Sequence, residues 1–250
     1  MASPKRTRQH DFFVYVDTVV FTINTDRSID SRDRLEVLVM KRPDRPDHGK
    51  WALPGGLVDD HEPLEETAIR KVAAETGLAI KRRDIHQVGA FGDPDRDPRW
   101  RAVSVAYVAL VPRPGDLLPR ENSEGAAFIP YRQLTSKRML EFDHADIVVA
   151  ARDTARRMLE DTNVALSFCR SRFTISELRN VYEAFLQHEV DPANFRRKVE
   201  ATDGFVVGTD EYADFGSAPG RPAQMYRAGS RQLLSSPIRF RKPEQPARKR

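Results

Sequence analysis

The chain has 250 residues, 40% of them hydrophobic, which exceeds the usual length of one domain and is apolar enough for packed cores, so two domains are expected. Its 41 Lys and Arg against 37 Asp and Glu give a net charge of +4, yet residues 227–250 alone hold eight basic residues and one Glu, a bias that fits either a polyanion partner or a solvated end. The lone Cys169 excludes an intramolecular disulfide and a cysteine-rich zinc site and fits a reducing compartment.

Residues 1–11 form a basic arm without the apolar core of a signal peptide, and no apolar run approaches membrane-spanning length, so the chain reads as cytoplasmic. Residues 12–23 and 35–41, rich in Val, Ile and Phe, predict two strands separated by a polar stretch with Asn24, Asp26 and Ser28. The segment KRPDRPDHGKWALPGG is too dense in Pro and Gly for regular structure, whereas residues 62–76 lack interior breakers and end at Gly77, which predicts a loop feeding a helix. Strands are expected at residues 85–91 and 102–111 around the charged loop GDPDRDPRWR, making residues 12–142 a mixed α/β domain.

From residue 143 the character changes. Ile147, Val148, Ala151, Ala155, Met158 and Leu159 recur at helical spacing, so residues 143–160 read as an amphipathic linking helix. Thr174 and Glu177 have capping-box spacing for a helix to about Gln187, and Asp191-Pro192 supplies an N-cap and an N1 proline for another ending near Gly204. Two short strand-like pieces around a Gly/Pro-rich loop follow, as in a β-wing, completing a unit over residues 161–229. Beyond Gly229 little order is expected, leaving residues 230–250 as a basic tail.

GLVDDHEPLEETAIRKVAAETGL, residues 56–78, has the spacing Gly, five residues, Glu, seven residues, then Arg-Glu-apolar-any-Glu-Glu-any-Gly-apolar. Gly56, Glu62, Arg70, Val72, Glu75, Gly77 and Leu78 are in place. The stretch, with the preceding WALPGG and its Gly55, resembles the Nudix family over about residues 12–140. The resemblance implies a pyrophosphate pocket and, in hydrolases, magnesium or manganese held by carboxylates that share a face of the box helix. Those metals polarise the pyrophosphate and activate water. Here Lys71 and Ala74 stand at two of the three glutamate positions and Glu75 alone remains. Hard cations with open positions need more than one carboxylate, so no catalytic residue and no metal site is assigned, and magnesium binding is expected to be weak or absent. Lys71 can pair with Glu75 four residues on, meet a phosphate directly, or simply be solvated. Glu65 and Glu66 precede the metal face and Glu121 or Glu124 could serve as a loop base, so slow hydrolysis stays open.

AFGDPDRDPRWRAVSVAYVAL resembles the strand and loop of ADP-ribose pyrophosphatases and their regulatory relatives, which implies ADP-ribose as the ligand. Arg96, Arg99 and Arg101 offer guanidinium forks, and Trp51 or Trp100 a stacking face. The expected ligand set is therefore Trp51, Gly55, Gly56, Arg70, Lys71, Glu75, Arg96, Arg99, Trp100 and Arg101. The plainer alternative makes Trp51 a core residue and the arginines loop solubilisers.

On the helix after Pro192, Phe195, Val199 and Thr202 share one side, Asn194, Arg197 and Ala201 the other, with Arg196 and Lys198 flanking. An outward face of Asn and Arg suits a DNA major groove, although charged outward faces are usual on surface helices. Thr174, Ser176, Arg221 and Arg227 join it as expected DNA contacts, with Lys5, Arg6 and Arg8 reaching a minor groove or phosphates.

A Nudix fold followed by a winged helix-turn-helix, with FTISELRNVYEAFLQHEVDPANFRRKVEATDGFVVG and GRPAQMYR, resembles the NrtR family of Nudix-related transcriptional regulators of NAD metabolism. The resemblance implies a homodimeric repressor of NAD biosynthesis or salvage genes, needing no cofactor and released from palindromic operator DNA by ADP-ribose. The alternative is a metal-dependent ADP-ribose pyrophosphatase with an accessory C-terminal domain.

Overall fold

The run FVYVDTVVFTI forms strand β1 (Phe13–Ile23), buried without interruption from Val16 to Thr22. Continuous burial marks a strand covered on both faces, and β1 is central. The structure, a computed structural model, describes residues 12–41, 50–113, 125–135, 138–213 and 222–240. Contacts group the chain into two units, the first comprising residues 1–21, 37–109 and 114–151, the second residues 22–36, 110–113 and 152–250.

The remaining strands of the main sheet are β2 (Leu35–Lys41), β3 (Trp51–Ala52), β4 (Gly55–Leu57), β5 (Ile85–Phe91), β6 (Ala102–Leu110) and β7 (Ala126–Pro130). The strand order is β3-β2-β1-β6-β5, with β4 on β1 and β7 on β2. Strands β3 and β4 correct the expectation that the Pro/Gly-rich stretch holds no regular structure. They are too short to show a period and exist through antiparallel pairing, Met40 with Ala52 and Tyr15, Val16 and Asp17 with Leu57, Gly56 and Gly55. A Cβ at Gly55 would lie 2.2 Å from the Val16 carbonyl oxygen, so only glycine lets β4 approach β1 here. Strand β7 and the short helix α2 (Tyr131–Leu134) are likewise additions to the sequence reading.

The box helix α1 (Leu64–Thr76) begins after Pro63, has Glu65 and Glu66 in its first turn, and buries Thr67, Ala68, Val72 and Thr76. The acidic first turn suits the positive helix end. Gly77 ends it in the left-handed region (φ 75°), donating its N–H to the Ala73 carbonyl. Helix α3 (His144–Asp161) contributes residues to both units.

In the second unit, helix α4 (Ile175–Leu186) starts with a complete capping box. The Thr174 hydroxyl accepts from Glu177 N–H, and the Glu177 carboxylate accepts from Thr174 N–H at 2.8 Å. Helix α5 (Pro192–Ala201) starts at Asp191, whose carboxylate accepts from Asn194 N–H at 2.8 Å. Strands β8 (Phe173–Thr174), β9 (Val206–Tyr212) and β10 (Gln224–Ala228) form the wing sheet in the order β8-β10-β9. Its core sets Tyr182 edge-on to Phe195, with Val199 and Phe205 also fully buried. The turn between β1 and β2 belongs to this unit. Arg27 pairs with Glu177 at 2.6 Å, and the buried Glu183 carboxylate accepts from Ser31 Oγ and from Val190 N–H. Burial, and after it Glu177, pushes the Cys169 thiol up to about 12.

Residues 230–240 correct the expectation of little order beyond Gly229. They follow a defined path with Leu234, Ile238 and Phe240 buried; the physical reason is three apolar side chains set among polar neighbours at irregular spacing. Among the described residues, no helix is long and apolar enough to cross a membrane.

The reciprocal cap sets a measurable expectation. Thr174→Ala should cost about 1 kcal/mol, read as a lower denaturant midpoint with unchanged slope; an unchanged midpoint would remove the box from the forces that hold α4.

Candidate functional site

A charged residue inside an apolar strand needs a buried partner, and Asp17 in β1 has several. It is buried, as are Arg96, Ser104 and His144. Arg96 donates to both carboxylate oxygens of Asp143, at 2.8 and 2.9 Å, and to Asp17 at 3.3 Å. Ser104 Oγ donates to Asp17 at 2.6 Å. His144 Nδ1 accepts from Leu53 N–H at 3.1 Å, so its Nε2 carries the hydrogen that faces Asp17 at 3.4 Å. Burial opposes ionisation of Asp17, but His144, Ser104 and Arg96 outweigh it and lower its pKa from 3.8 to about 2. Burial likewise opposes the Arg96 cation, and Asp143, Asp17 and Asp97 overcome it, leaving its pKa raised.

This cluster floors a cavity in the first unit, lined from β1 by Tyr15 and Asp17, from β4 by Gly55 and Gly56, from α1 by Glu75, and from the loop before β6 by Arg96, Asp97 and Arg99. Phe142 and His144, with Met40, Ala52 and Leu53, complete the lining. Phe142 has φ 44°, an uncommon conformation for a residue with a side chain. Its ring lies 5.3 Å from the Arg99 guanidinium and edge-on to His144. Glu75 accepts from Gly55 N–H at 3.0 Å, fixing the mouth of the cavity to the end of α1.

Of the expected ligand set, the cavity brings together Gly55, Gly56, Glu75, Arg96 and Arg99. The structure corrects the picture of Arg96 as a free phosphate fork, because Asp143 and Asp17 occupy it. Arg99 is oriented by Asp97, which accepts from its Nε and Nη2 at 2.9 and 2.7 Å, and stacks over Trp100 at 4.6 Å. Arg70 reaches back to Glu62 and Asp59 instead of the cavity, and with Thr67 holds Glu62 down at about 2. Arg101 is spent on the carbonyls of Gly92, Asp93 and Ala102. Trp51 lies under Lys41 in β3, and Trp100 donates to the Tyr15 hydroxyl at 2.9 Å beside Phe13. Lys71 lies over the backbone of Gly56, where a Cβ would meet its Nζ and Cε at 2.8 Å. Tyr15, Asp17, Asp143 and His144 are not among the site residues expected from the sequence. Asp17 carried a signal for it, a carboxylate at the centre of FVYVDTVVFTI.

The second unit presents the other expected surface. On α5, Phe195 and Val199 are buried while Arg196, Arg197 and Ala201 are exposed. Arg197 Nη2 donates to the Asn194 side-chain oxygen at 2.8 Å, arranging the two as one polar edge. Arg196 lies 4.0 Å from Glu200, and Arg227 is exposed on β10. Thr174 is corrected as a DNA contact, because it is buried and its hydroxyl is engaged in the cap; Ser176 beside it is exposed. Lys198 donates to the Arg239 carbonyl and lies 5.0 Å over the Phe240 ring. Lys5, Arg6, Arg8 and Arg221, like Glu121 and Glu124, lie outside the described residues.

The depressed pKa of Asp17 fixes the sign of an acid transition. Its contribution, about 2 kcal/mol, is present above its ordinary value of 3.8 and lost as pH falls through about 2. Asp17→Asn should lower stability at neutral pH and flatten the decline between these values in chemical denaturation; an unaltered acid limb would contradict the assignment.

The NUDIX domain model matches residues 19–150, and the NrtR DNA-binding winged helix domain model matches residues 165–228. The chain is 32% identical over 214 residues to the ADPR responsive transcriptional repressor NtrR of Acinetobacter baylyi, covering 85% of this chain and 80% of that one. A crystal structure of Shewanella oneidensis NrtR complexed with a 27mer DNA superposes with a TM-score of 0.67 at 27% identity, over 90% of this chain and 99% of that one. The NUDIX domain of the same NrtR complexed with ADP ribose matches at 29% identity and a TM-score of 0.50, over 62% of this chain and 94% of the other. With its cavity on a Nudix sheet and its exposed helix beside a three-stranded wing, the chain belongs to the NrtR family of Nudix-related transcriptional regulators.

Proposed function

We propose that this chain is a DNA-binding repressor of NAD biosynthesis or salvage genes, released from its operator by ADP-ribose held in the Nudix cavity. The observation that carries the reading is α5, whose outward edge joins Asn194 and Arg197 while Phe195 and Val199 hold the helix to the core. Arg and Asn side chains on a helix in the major groove read guanine and adenine edges. The similarity to the Acinetobacter repressor and to the DNA-bound and ADP-ribose-bound Shewanella structures supports it.

Hydrolysis is not part of this proposal. The box helix offers Glu75 where the motif asks for three glutamates, and the other carboxylates near it are engaged. Glu62 is held by Arg70, and Glu65 and Glu66 pair with Arg82 at 2.7 and 3.2 Å. Lys71 brings a cation to the Gly56 backbone. One carboxylate at the three helix positions of the motif, beside the ammonium of Lys71, is a donor set that does not fit the hydrolases' magnesium or manganese cluster. What it does fit is a pyrophosphate, met by the cations of Lys71 and Arg99.

The route from ligand to DNA runs through Asp143, the residue before α3. It anchors Arg96 at the cavity floor, and its carbonyl accepts from Asp146 and Ile147 N–H as the helix begins. A ligand phosphate that draws Arg96 away from Asp143 frees the start of α3, and in a homodimer this changes the spacing of the two α5 helices along a palindromic site.

The test is a gel-shift titration on the promoter of an NAD biosynthesis operon from the same genome. ADP-ribose should reverse the binding and remain uncleaved in the presence of magnesium. Arg197→Ala should weaken promoter binding about ten- to a hundred-fold. Promoter binding indifferent to ADP-ribose, or AMP released at an enzymatic rate, would overturn the reading.

A further inference from the structure

The second unit holds a cavity of its own, of about 160 Å³, that shares no residue with the Nudix cavity. Every residue lining it belongs to that unit. One wall is apolar, made by Ile23 at the end of β1, Phe168 and Cys169 between α3 and β8, Phe173 on β8 and Val181 on α4. Phe173 and Val181 are buried, and the Phe168 ring lies 5.7 Å from that of Phe185. The wall is thus fixed by the core that carries α4. An apolar cavity of about 150 Å³ takes up a single benzene ring.

The opposite side is cationic. Arg27, Arg34, Arg113 and Arg170 reach it from three separate stretches of chain, and among the described residues Glu177 is the single carboxylate in the lining. Glu177 pairs with Arg27 at 2.6 Å, and Arg113 is taken by Glu36, which also accepts from Asn24 Nδ2 at 2.7 Å. Arg34 donates its Nε and Nη2 to the carbonyls of Ile29 and Arg27, at 2.8 and 3.0 Å, and Arg170 is exposed. Among the described residues neither Arg34 nor Arg170 has a carboxylate within ion-pair distance, and the Asp26 carboxylate is taken by Ser28. Half-buried Asn180 on α4 adds an amide that has no hydrogen-bond partner among the described residues.

The geometry points to a second ligand site, within the winged-helix unit, for a single-ring aromatic carboxylate. The ring lies against Phe168, Phe173 and Val181, and the carboxylate meets the guanidinium forks of Arg170 and Arg34. Each half of the ligand answers one half of the cavity. Inorganic phosphate would satisfy the arginines and leave the apolar wall bare, whereas a nucleotide needs a larger pocket than this one. Aromatic rings meet edge-on or offset, which the two phenylalanines of the wall provide. The amide of Asn180 is the group that a nitrogen in the ring would meet.

The test uses the full chain with benzoate and pyridine-3-carboxylate, their neutral amides, and inorganic phosphate as probes. Saturation-transfer NMR reads binding of the organic probes. The place is read from the alkylation rate of Cys169, the sole cysteine, by iodoacetamide at about pH 9, because a ring on the wall covers its thiol. The carboxylates should bind and slow alkylation saturably, and binding of either one alone supports the site and identifies the ring. The amides should bind about ten-fold more weakly or worse, and so should benzoate to Arg170→Gln, since each lacks a charge-assisted bond. Arg170 is exposed and makes no hydrogen bond among the described residues, so the variant should keep its denaturant midpoint. Alkylation indifferent to both carboxylates, equal protection by the amides or by phosphate, or undiminished benzoate affinity in Arg170→Gln would overturn the site. None of these results bears on the DNA-binding reading of α5.

Discussion

The cavity depends on one buried guanidinium. Arg96 ties the loop before β6 to Asp17 on the central strand and to Asp143 at the entry to α3. Two carboxylates around one cation would leave a net negative charge in the interior; the Ser104 hydroxyl and the imidazole of His144 share Asp17 with Arg96 and spread that charge. Stripping one partner from a buried pair typically costs about 3–5 kcal/mol because the survivor stays desolvated. The floor is therefore stiff while complete and vulnerable to any anion that competes for Arg96. A pocket built this way couples occupancy to structure through charge balance, without requiring a large displacement at the ligand.

The second unit is organised differently, by apolar contacts around Tyr182 and Phe195 and by the hydrogen bonds that end its helices. Glu183 is its counterpart to Arg96. Buried on α4, it receives the Ser31 hydroxyl from the turn between β1 and β2 and the Val190 N–H just ahead of α5. A single carboxylate thus relates the turn between β1 and β2 to the segment just ahead of α5, within the second unit. Gln187, left-handed at the end of α4 (φ 61°), adds a bond to the Arg32 carbonyl at 2.8 Å.

What could be read from the sequence was local. The box helix and its Gly77 stop, the Thr174 and Glu177 box and the Asp191-Pro192 start all depend on residues within a few positions of one another, and all appear as spaced. The roles of long polar side chains could not be read in this way. Arg96 looks like a free fork in GDPDRDPRWR because Asp143 and Asp17 lie 47 and 79 residues away. Arg70 and Arg101 are diverted by nearer partners, carboxylates 8 and 11 positions away and carbonyls 1 to 9 positions away, which charge patterning does not reveal. The path of residues 230–240 rests on Phe240 finding Phe195, 45 positions back in the chain. Asp17 is the exception, since an ionised residue within an apolar strand calls for a buried partner by its position alone.

Cys169 has a practical consequence. It is the sole cysteine of 250 residues, and burial lifts its thiol to about 12, so near neutral pH almost none of it is the thiolate that alkylating reagents attack. Cys169 is half-buried beside a surface pocket, so in site-directed labelling it is a slow thiol rather than an absent one. A thiol introduced at exposed Ser176 would take a spin or fluorescent label ahead of Cys169.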